Sequence, residues 1–374
     1  MKLKNLLTGI LISILVFASV ADFISWQRGL RLEGAFTKAE IPEFNFGNWV
    51  NGSFQADAAL AFNDRVGLRW LFIRWKNQLD YWLYGKSNHW STIFGKKGTL
   101  FPRDYYWSYT GENFKGFDTI YSQIEPTQEF YELLQEKDKQ MLVVLAPNKV
   151  RQYYELLPTE LQVGEGDTTN YRITLDTLKA TELPVLDLSE YFLTNKEELQ
   201  YPVFPQHGLH WNTFGMVTAL QKMVHRLERQ SGQNFLYPNV SSWNFDGPEV
   251  WNDSDLLNLM NLLFPPDSPE QPWPQLDLSG QEDAKPLNAL FIADSFFFSY
   301  YRDKRLWQVF GQDAEFWYYN NTVYKKNMES TPADKRSRVE AVEKADCIIF
   351  LTTSGGAYRF TQGFVHDYFK ELNR

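Results

Sequence analysis

Two short segments of this chain hold residue types that can do chemistry together: Gln206-His207-Gly208-Leu209-His210-Trp211-Asn212 and Ile292-Ala293-Asp294-Ser295-Phe296. Ser295 follows an apolar run, Leu287 to Ala293, whose composition suits a buried strand. A serine at such a strand end is exposed, and a helix starting there would aim N–H groups at a developing oxyanion. A serine hydroxyl is a weak nucleophile until a base takes its proton, and histidine suits that task near neutral pH. His210 is the candidate base, in a loop ahead of an expected helix from Thr213 to Arg229. The plainer reading of Asp294-Ser295 is a helix cap, and of His210 a buried imidazole satisfied by backbone. Acyl transfer is the reading the pair favours. His207 and His210 are spaced like a metal pair, but without acidic ligands nearby no metal is expected, nor any other cofactor.

The composition narrows the setting. With 374 residues the chain can bury a full core. A net charge of −9 argues against a nucleic-acid partner, which needs a basic face. The single cysteine, Cys347, excludes an internal disulfide, and five histidines (89, 207, 210, 225, 366) make a histidine-rich metal centre a poor fit. Aromatics are the outlier at 17% of the chain; most must be core or interface, but such a surplus also suits surfaces that stack on sugar rings. At the N-terminus Lys2 and Lys4 precede an uncharged run from Asn5 to Ala21. That pattern sends the following chain across a membrane. Ser19-Val20-Ala21 resembles a signal-peptidase site, whereas Phe23, Ile24 and Trp26 extend the run into an anchor. The anchor is favoured, and either way the body of the protein is expected outside the cytoplasm.

The elements that must position Ser295 and His210 follow from periodicity. Residues 1–26 form the anchor or signal segment, and 27–115 a tether with a helical extension, including an amphipathic helix within Leu60 to Tyr84. Residues 116–374 form the main α/β domain. Helices are expected at Thr127–Lys139, Thr169–Thr181, Thr213–Arg229 and 331–345, with strands at Gln140–Ala146, Pro184–Leu188, Leu287–Ala293 and Asp346–Leu351. Strands alternating with helices imply a mostly parallel sheet covered on both faces, with functional residues outside the carboxyl ends of the strands. Pro147-Asn148-Lys149, Asp187, Ser295 and Thr352-Thr353-Ser354 all fall there. Asn148 and Lys149 either donate to an oxyanion or hold a strand end. Residues 232–285, rich in Pro, Asp, Asn and Trp, read as a long insertion. Its Trp243, Trp251 and Trp273, with Trp211, are the candidates for glycan contact; the rival role is pinning the loop to the core.

From about Phe62 to Leu351 the chain resembles the SGNH-hydrolase-like proteins of the alginate O-acetyltransferase family. The resemblance rests on Phe62-Asn63-Asp64-Arg65 with Arg69, the Gly-Lys-Lys-Gly-Thr-Leu-Phe turn at 95–101, Pro147-Asn148-Lys149 with Tyr153 and Leu157-Pro158, His210-Trp211-Asn212 with Gly215, and Ala293-Asp294-Ser295-Phe296. It implies an exported protein that acetylates an exopolysaccharide, with Ser295 as nucleophile, His210 as base, and a membrane-bound O-acyltransferase as acetyl supplier. Members commonly carry an Asp two residues before the His, where this chain has Gly208, and a Gly where it has Ala293. A Ser–His dyad, helped by Asp187 or a backbone carbonyl, is the expected form. A carbohydrate O-acetyl esterase and a catalytically silent glycan-binding scaffold are the alternatives.

Overall fold

Three apolar runs become the centre of a sheet because every residue in them is buried or nearly so. In the computed structural model, which describes residues 2–20, 32–34, 38–65, 69–278, 282–326 and 329–373, the main sheet has seven strands. These are β1 (Gln140–Ala146), β2 (Val185–Asp187), β3 (Ala289–Ala293), β4 (Glu315–Tyr318), β5 (Thr322–Lys325), β6 (Ser330–Pro332) and β7 (Cys347–Thr353), in the order β6-β5-β4-β3-β7-β1-β2. The five strands from β4 to β2 are parallel, and β5 and β6 extend the edge antiparallel. Ile349 of β7 sits between Leu142 of β1 and Phe291 of β3.

Period-two alternation sends successive side chains to opposite faces. Leu142, Val144, Phe291, Ile349 and Leu351 meet Leu220, Val224 and Leu227 of the helix Thr213–Ser231. Met141, Val143, Leu290, Ile348 and Phe350 meet Phe130, Leu134, Leu178 and Phe364 from helices on the other face. The helix Thr213–Ser231 starts where Asn212 Oδ1 accepts the Gly215 N–H (2.9 Å) and stops at Gly232, whose φ of 68° is left-handed. It is the mostly parallel α/β arrangement expected, with helices on both faces, within a mixed sheet.

Several elements differ from expectation. The helix predicted over 331–345 is confined to Arg338–Lys344, and the segment before it makes β4 to β6. Tyr319 and Asn320 both have positive φ, which folds β4 back onto β5 as a hairpin. The 27–115 extension includes helices at Phe46–Val50 and Ser53–Asn63 ahead of the amphipathic one, Arg69–Tyr84. The insertion contains a hairpin pairing Asn239–Asn244 with Trp273–Asp277 and a short helix, Asp255–Leu259. At the N-terminus Lys2–Val20 is helical, but no helix among the described residues is long and apolar enough to cross a membrane. The rest of the expected 1–26 segment, including Trp26, lies outside the described residues.

The chain divides into two compact units: Met1–Trp90 with Leu256–Asp267, and Ser91–Asp255 with Ser268–Arg374. In the first, helix Arg69–Tyr84 holds the 256–267 segment through polar side chains. Asn77 donates to Met260 O (2.8 Å), Arg74 donates to Leu262 O (2.8 Å), and Gln78 Oε1 accepts from Phe264 N–H (2.8 Å). The second unit contains the sheet and the site.

Candidate active site

The end of β3 is held in place by Asp294. Its Oδ1 accepts the Phe296 N–H (3.0 Å) and its Oδ2 accepts the Thr353 N–H of β7 (2.6 Å), so one carboxylate caps the next turn and ties two strand ends together. Burial pushes its pKa up, opposed by those two N–H groups. Ser295, half-buried, opens the turn Ser295–Phe297. A residue at that position has an N–H that no turn bond uses, so it can donate to an oxyanion.

His210 reaches this serine from the loop before helix Thr213–Ser231. Its Nε2 lies 2.9 Å from Ser295 Oγ, and its Nδ1 lies 2.6 Å from Asp255 Oδ2. The other carboxylate oxygen of Asp255 accepts the Leu209 N–H (2.7 Å). An acceptor at Nδ1 places the imidazole proton there and leaves Nε2 free to take the serine proton. The ring is wedged between Phe296 (5.0 Å between centroids) and Trp251 (4.6 Å). Asp255–His210–Ser295 is therefore a continuous hydrogen-bonded line, with the geometry of a nucleophile, a base and an orienting acid.

The loop carrying His210 is braced from below. Lys149 is fully buried, and its ammonium donates to the carbonyls of Pro205 (2.7 Å), Gln206 (3.0 Å) and Gly208 (2.6 Å). Burial pushes its pKa down to about 7, with Asp255 acting against the shift. The 95–101 turn adds a second brace: Leu100 N–H donates to Gln206 O (2.9 Å), and Gln206 Nε2 donates to Lys97 O (2.6 Å). Gly208 is required by space, because a Cβ there would lie 1.9 Å from Asn252 O. The segment leading to Asp255 thus packs where a side chain at 208 would stand.

The remaining predicted residues have other places. Asp187 does not face His210; it accepts from Tyr171 OH (2.8 Å) and caps the helix Leu188–Thr194 through the Glu190 N–H (3.0 Å). That corrects the expected supporting acid: Asp255 stands there instead. Asn148 caps the turn after β1 and donates to Tyr105 O (3.0 Å), and Lys149 is committed to the histidine loop, so both hold structure. His207 pairs with Ser268 (2.9 Å between Nδ1 and Oγ). Trp211 is corrected from a glycan contact to core, fully buried against Phe296 and Tyr300. Trp243 packs on Tyr201 and Phe214, and Trp273 is covered by Arg305 with its guanidinium 3.7 Å from the ring centre. Of the four tryptophans, Trp251 is the one beside His210, with the exposed Arg302 over its face (4.6 Å). No group of three His, Cys, Asp or Glu among the described residues is placed to hold a metal. Sequence reasoning missed Asp255, and also Tyr319, whose phenol interacts with the Ser295 hydroxyl and is kept protonated by burial.

The fold and site define an α/β domain with a serine at the carboxyl edge of its parallel strands. Residues 92–247 match the SGNH hydrolase-like domain of acetyltransferase AlgX, the family the sequence resembles. The match includes His210 and ends before Asp255 and Ser295. No curated protein matches the sequence at a significant level. Among solved structures, the O-acetyltransferase domain of Pseudomonas putida AlgJ is similar at 13% identity and a TM-score of 0.46, over 74% of this chain and 99% of that one. Bacillus cereus PatB1 is similar at 13% identity and a TM-score of 0.42, over 70% and 95%. Pseudomonas aeruginosa AlgX is similar at 12% identity and a TM-score of 0.39, over 71% of this chain and 56% of that one.

Proposed function

We propose that this protein is an O-acetyltransferase acting on an extracytoplasmic polysaccharide through an acetyl-Ser295 intermediate. The observation that carries the reading is the Asp255–His210–Ser295 line, with 2.6 and 2.9 Å links. His210 Nε2 takes the Ser295 proton as Oγ attacks the acetyl carbonyl, the Ser295 N–H donates to the oxyanion, and the imidazolium returns the proton to the leaving oxygen of the donor. In the second half a sugar hydroxyl gives its proton to His210 and takes the acetyl group, restoring Ser295. Asp255 supports the imidazolium throughout. The match to the acetyltransferase AlgX domain favours acetyl as the group carried.

Transfer to a sugar requires that its hydroxyl outcompete water for the acyl-enzyme. Trp251, flanked by Arg302 and beside His210, is the wall on which the acceptor would rest. A membrane-bound O-acyltransferase supplies acetyl groups across the membrane, and the lysine-flanked segment at the N-terminus exports the chain and holds it at the membrane; protease protection of the full chain in cells tests that placement. The activity test follows acetate and acetylated oligosaccharide from an activated acetyl ester. Transfer predicts glycan product that rises with acceptor concentration and falls in Trp251→Ala. Acetate alone, with every acceptor tried, would make the protein an esterase; no turnover would make it a scaffold.

A further inference from the structure

The helix Arg69–Tyr84 is amphipathic in the reverse sense. Its polar residues Arg74, Asn77 and Gln78 face inward and hold the 256–267 segment, and Gln78 is its buried residue. Four of its large apolar residues face solvent: Phe72 is 49% exposed, Trp75 42%, Leu79 47% and Trp82 56%. Those four stand at i, i+3, i+7 and i+10, one face of a helix. Phe264, 60% exposed, extends the same face, stacked on Trp82 (6.1 Å between centroids, 4° between planes) and edge-on to Trp75 (6.4 Å). Leu83 and Tyr84 follow at 67% each. An aromatic patch of this size on a soluble surface marks an interaction site.

We propose that this face lies on an anionic lipid surface, with the helix in the plane of the interface. Tryptophan and tyrosine prefer the boundary between headgroups and acyl chains, and a charged 16-residue helix is too short and too polar to cross. Charge selects the lipid. The chain as a whole carries −9, yet between Arg69 and Trp90 the sequence has four cations, Arg69, Arg74, Lys76 and Lys86, and one carboxylate, Asp80; Arg69 pairs with Asp64 just before the helix and Arg74 is turned inward. Lys86 is exposed at the end of the aromatic face, and Lys76, exposed on the helix, is bridged to Asp80 (2.8 Å), a surface pair that acidic headgroups would compete for. A second copy of the chain is a poorer occupant, since a two-fold contact through this face would bring the same cations together. The proposal does not depend on the acetyl-transfer reading.

Hydrogen–deuterium exchange of the full chain, alone and with vesicles, tests the proposal by peptide. With phosphatidylglycerol–phosphatidylcholine vesicles, peptides within 69–84 and around Phe264 should exchange at least fivefold more slowly, with little change for phosphatidylcholine alone. Trp75→Ser with Trp82→Ser should lower partitioning onto the anionic vesicles at least tenfold while leaving melting and ester turnover unchanged. Unaltered exchange at 69–84 on vesicles that do capture the protein would overturn the proposal, assigning capture to the N-terminal helix. Equal protection without lipid as protein concentration rises would overturn it in favour of self-association.

Discussion

Replacing Asp255 by Asn separates an orienting acid from a structural one. The substitution keeps the shape and leaves an amide oxygen to accept the Leu209 N–H, now bonded at 2.7 Å. It changes what faces His210 Nδ1 across 2.6 Å from an acceptor to an amide donor. The ring must then accept at Nδ1 and carry its proton on Nε2, which cannot receive the Ser295 proton. The Asp255 side chain is only 14% exposed, so water is poorly placed to substitute. The analogous change in a serine protease, a worked case in general enzymology, lowers turnover by about 10⁴. That corresponds to about 5.5 kcal/mol of lost transition-state stabilisation. Stopped-flow hydrolysis of a chromogenic acetyl ester should show kcat down by about 10³–10⁴ with KM nearly unchanged and melting within a few degrees of the parent. Asp187→Asn should leave the same assay within about threefold. A folded Asp255→Asn variant retaining a tenth or more of the activity would refute the triad, as would a large loss from Asp187→Asn.

Substitutions at three further positions probe the surroundings. Lys149→Met strips the donors from three buried carbonyls; we expect a stability loss of about 3 kcal/mol by urea unfolding and a fall in turnover of at least about a hundredfold as the His210 loop loosens. Asp253 is buried with one carboxylate oxygen unpartnered, and burial raises its pKa to about 6. Between its ordinary value near 3.8 and about 6 the folded state binds the proton and the unfolded chain does not, so stability falls as pH rises through that window. Asp253→Asn should therefore raise the melting temperature at pH 8 and leave it nearly unchanged at pH 4 by calorimetry. Tyr319 holds φ of 49°, an uncommon conformation for a bulky side chain. Tyr319→Phe should lower kcat about tenfold or more by removing the phenol from Ser295 with melting near the parent, whereas Tyr319→Gly, which also loses the ring packed on Tyr318 (4.5 Å between centroids), should lose the same activity and melt below the parent despite the relieved φ.

What the sequence made legible follows from which signals are local. β1, β3 and β7 read clearly because strands buried on both faces are continuous apolar runs, and helix Thr213–Ser231 because its apolar face and its Asn212 cap agree. Ser295 and His210 could be picked out because each sits at the end of such an element. Asp255 could not: it is 45 residues from His210, in a segment where Asp246, Asp253 and Asp267 are equally eligible by type. The signal that was available was a glycine, Gly208, at a position where an acid is usual, together with a long insertion that had to pack somewhere. The two belong together, since the backbone at Asn252 occupies the space a residue 208 side chain would need. β4 to β6 were hidden because three or four residues per strand carry little periodicity, and the turn at Tyr319-Asn320 uses neither Gly nor Pro. Trp211 misled because aromatic type does not tell which way a side chain faces.

The most direct test of the central claim is to catch the acyl-enzyme. Rapid acid quench during turnover of an activated acetyl ester, followed by peptide mass spectrometry, reads which residue carries the acetyl group. The Asp255–His210–Ser295 account predicts acetyl on Ser295 within the first turnover, none on Ser295→Ala, and accumulation slowed by about 10³ or more in His210→Ala. Steady turnover with acetyl on another residue, or an active Ser295→Ala variant, would contradict it.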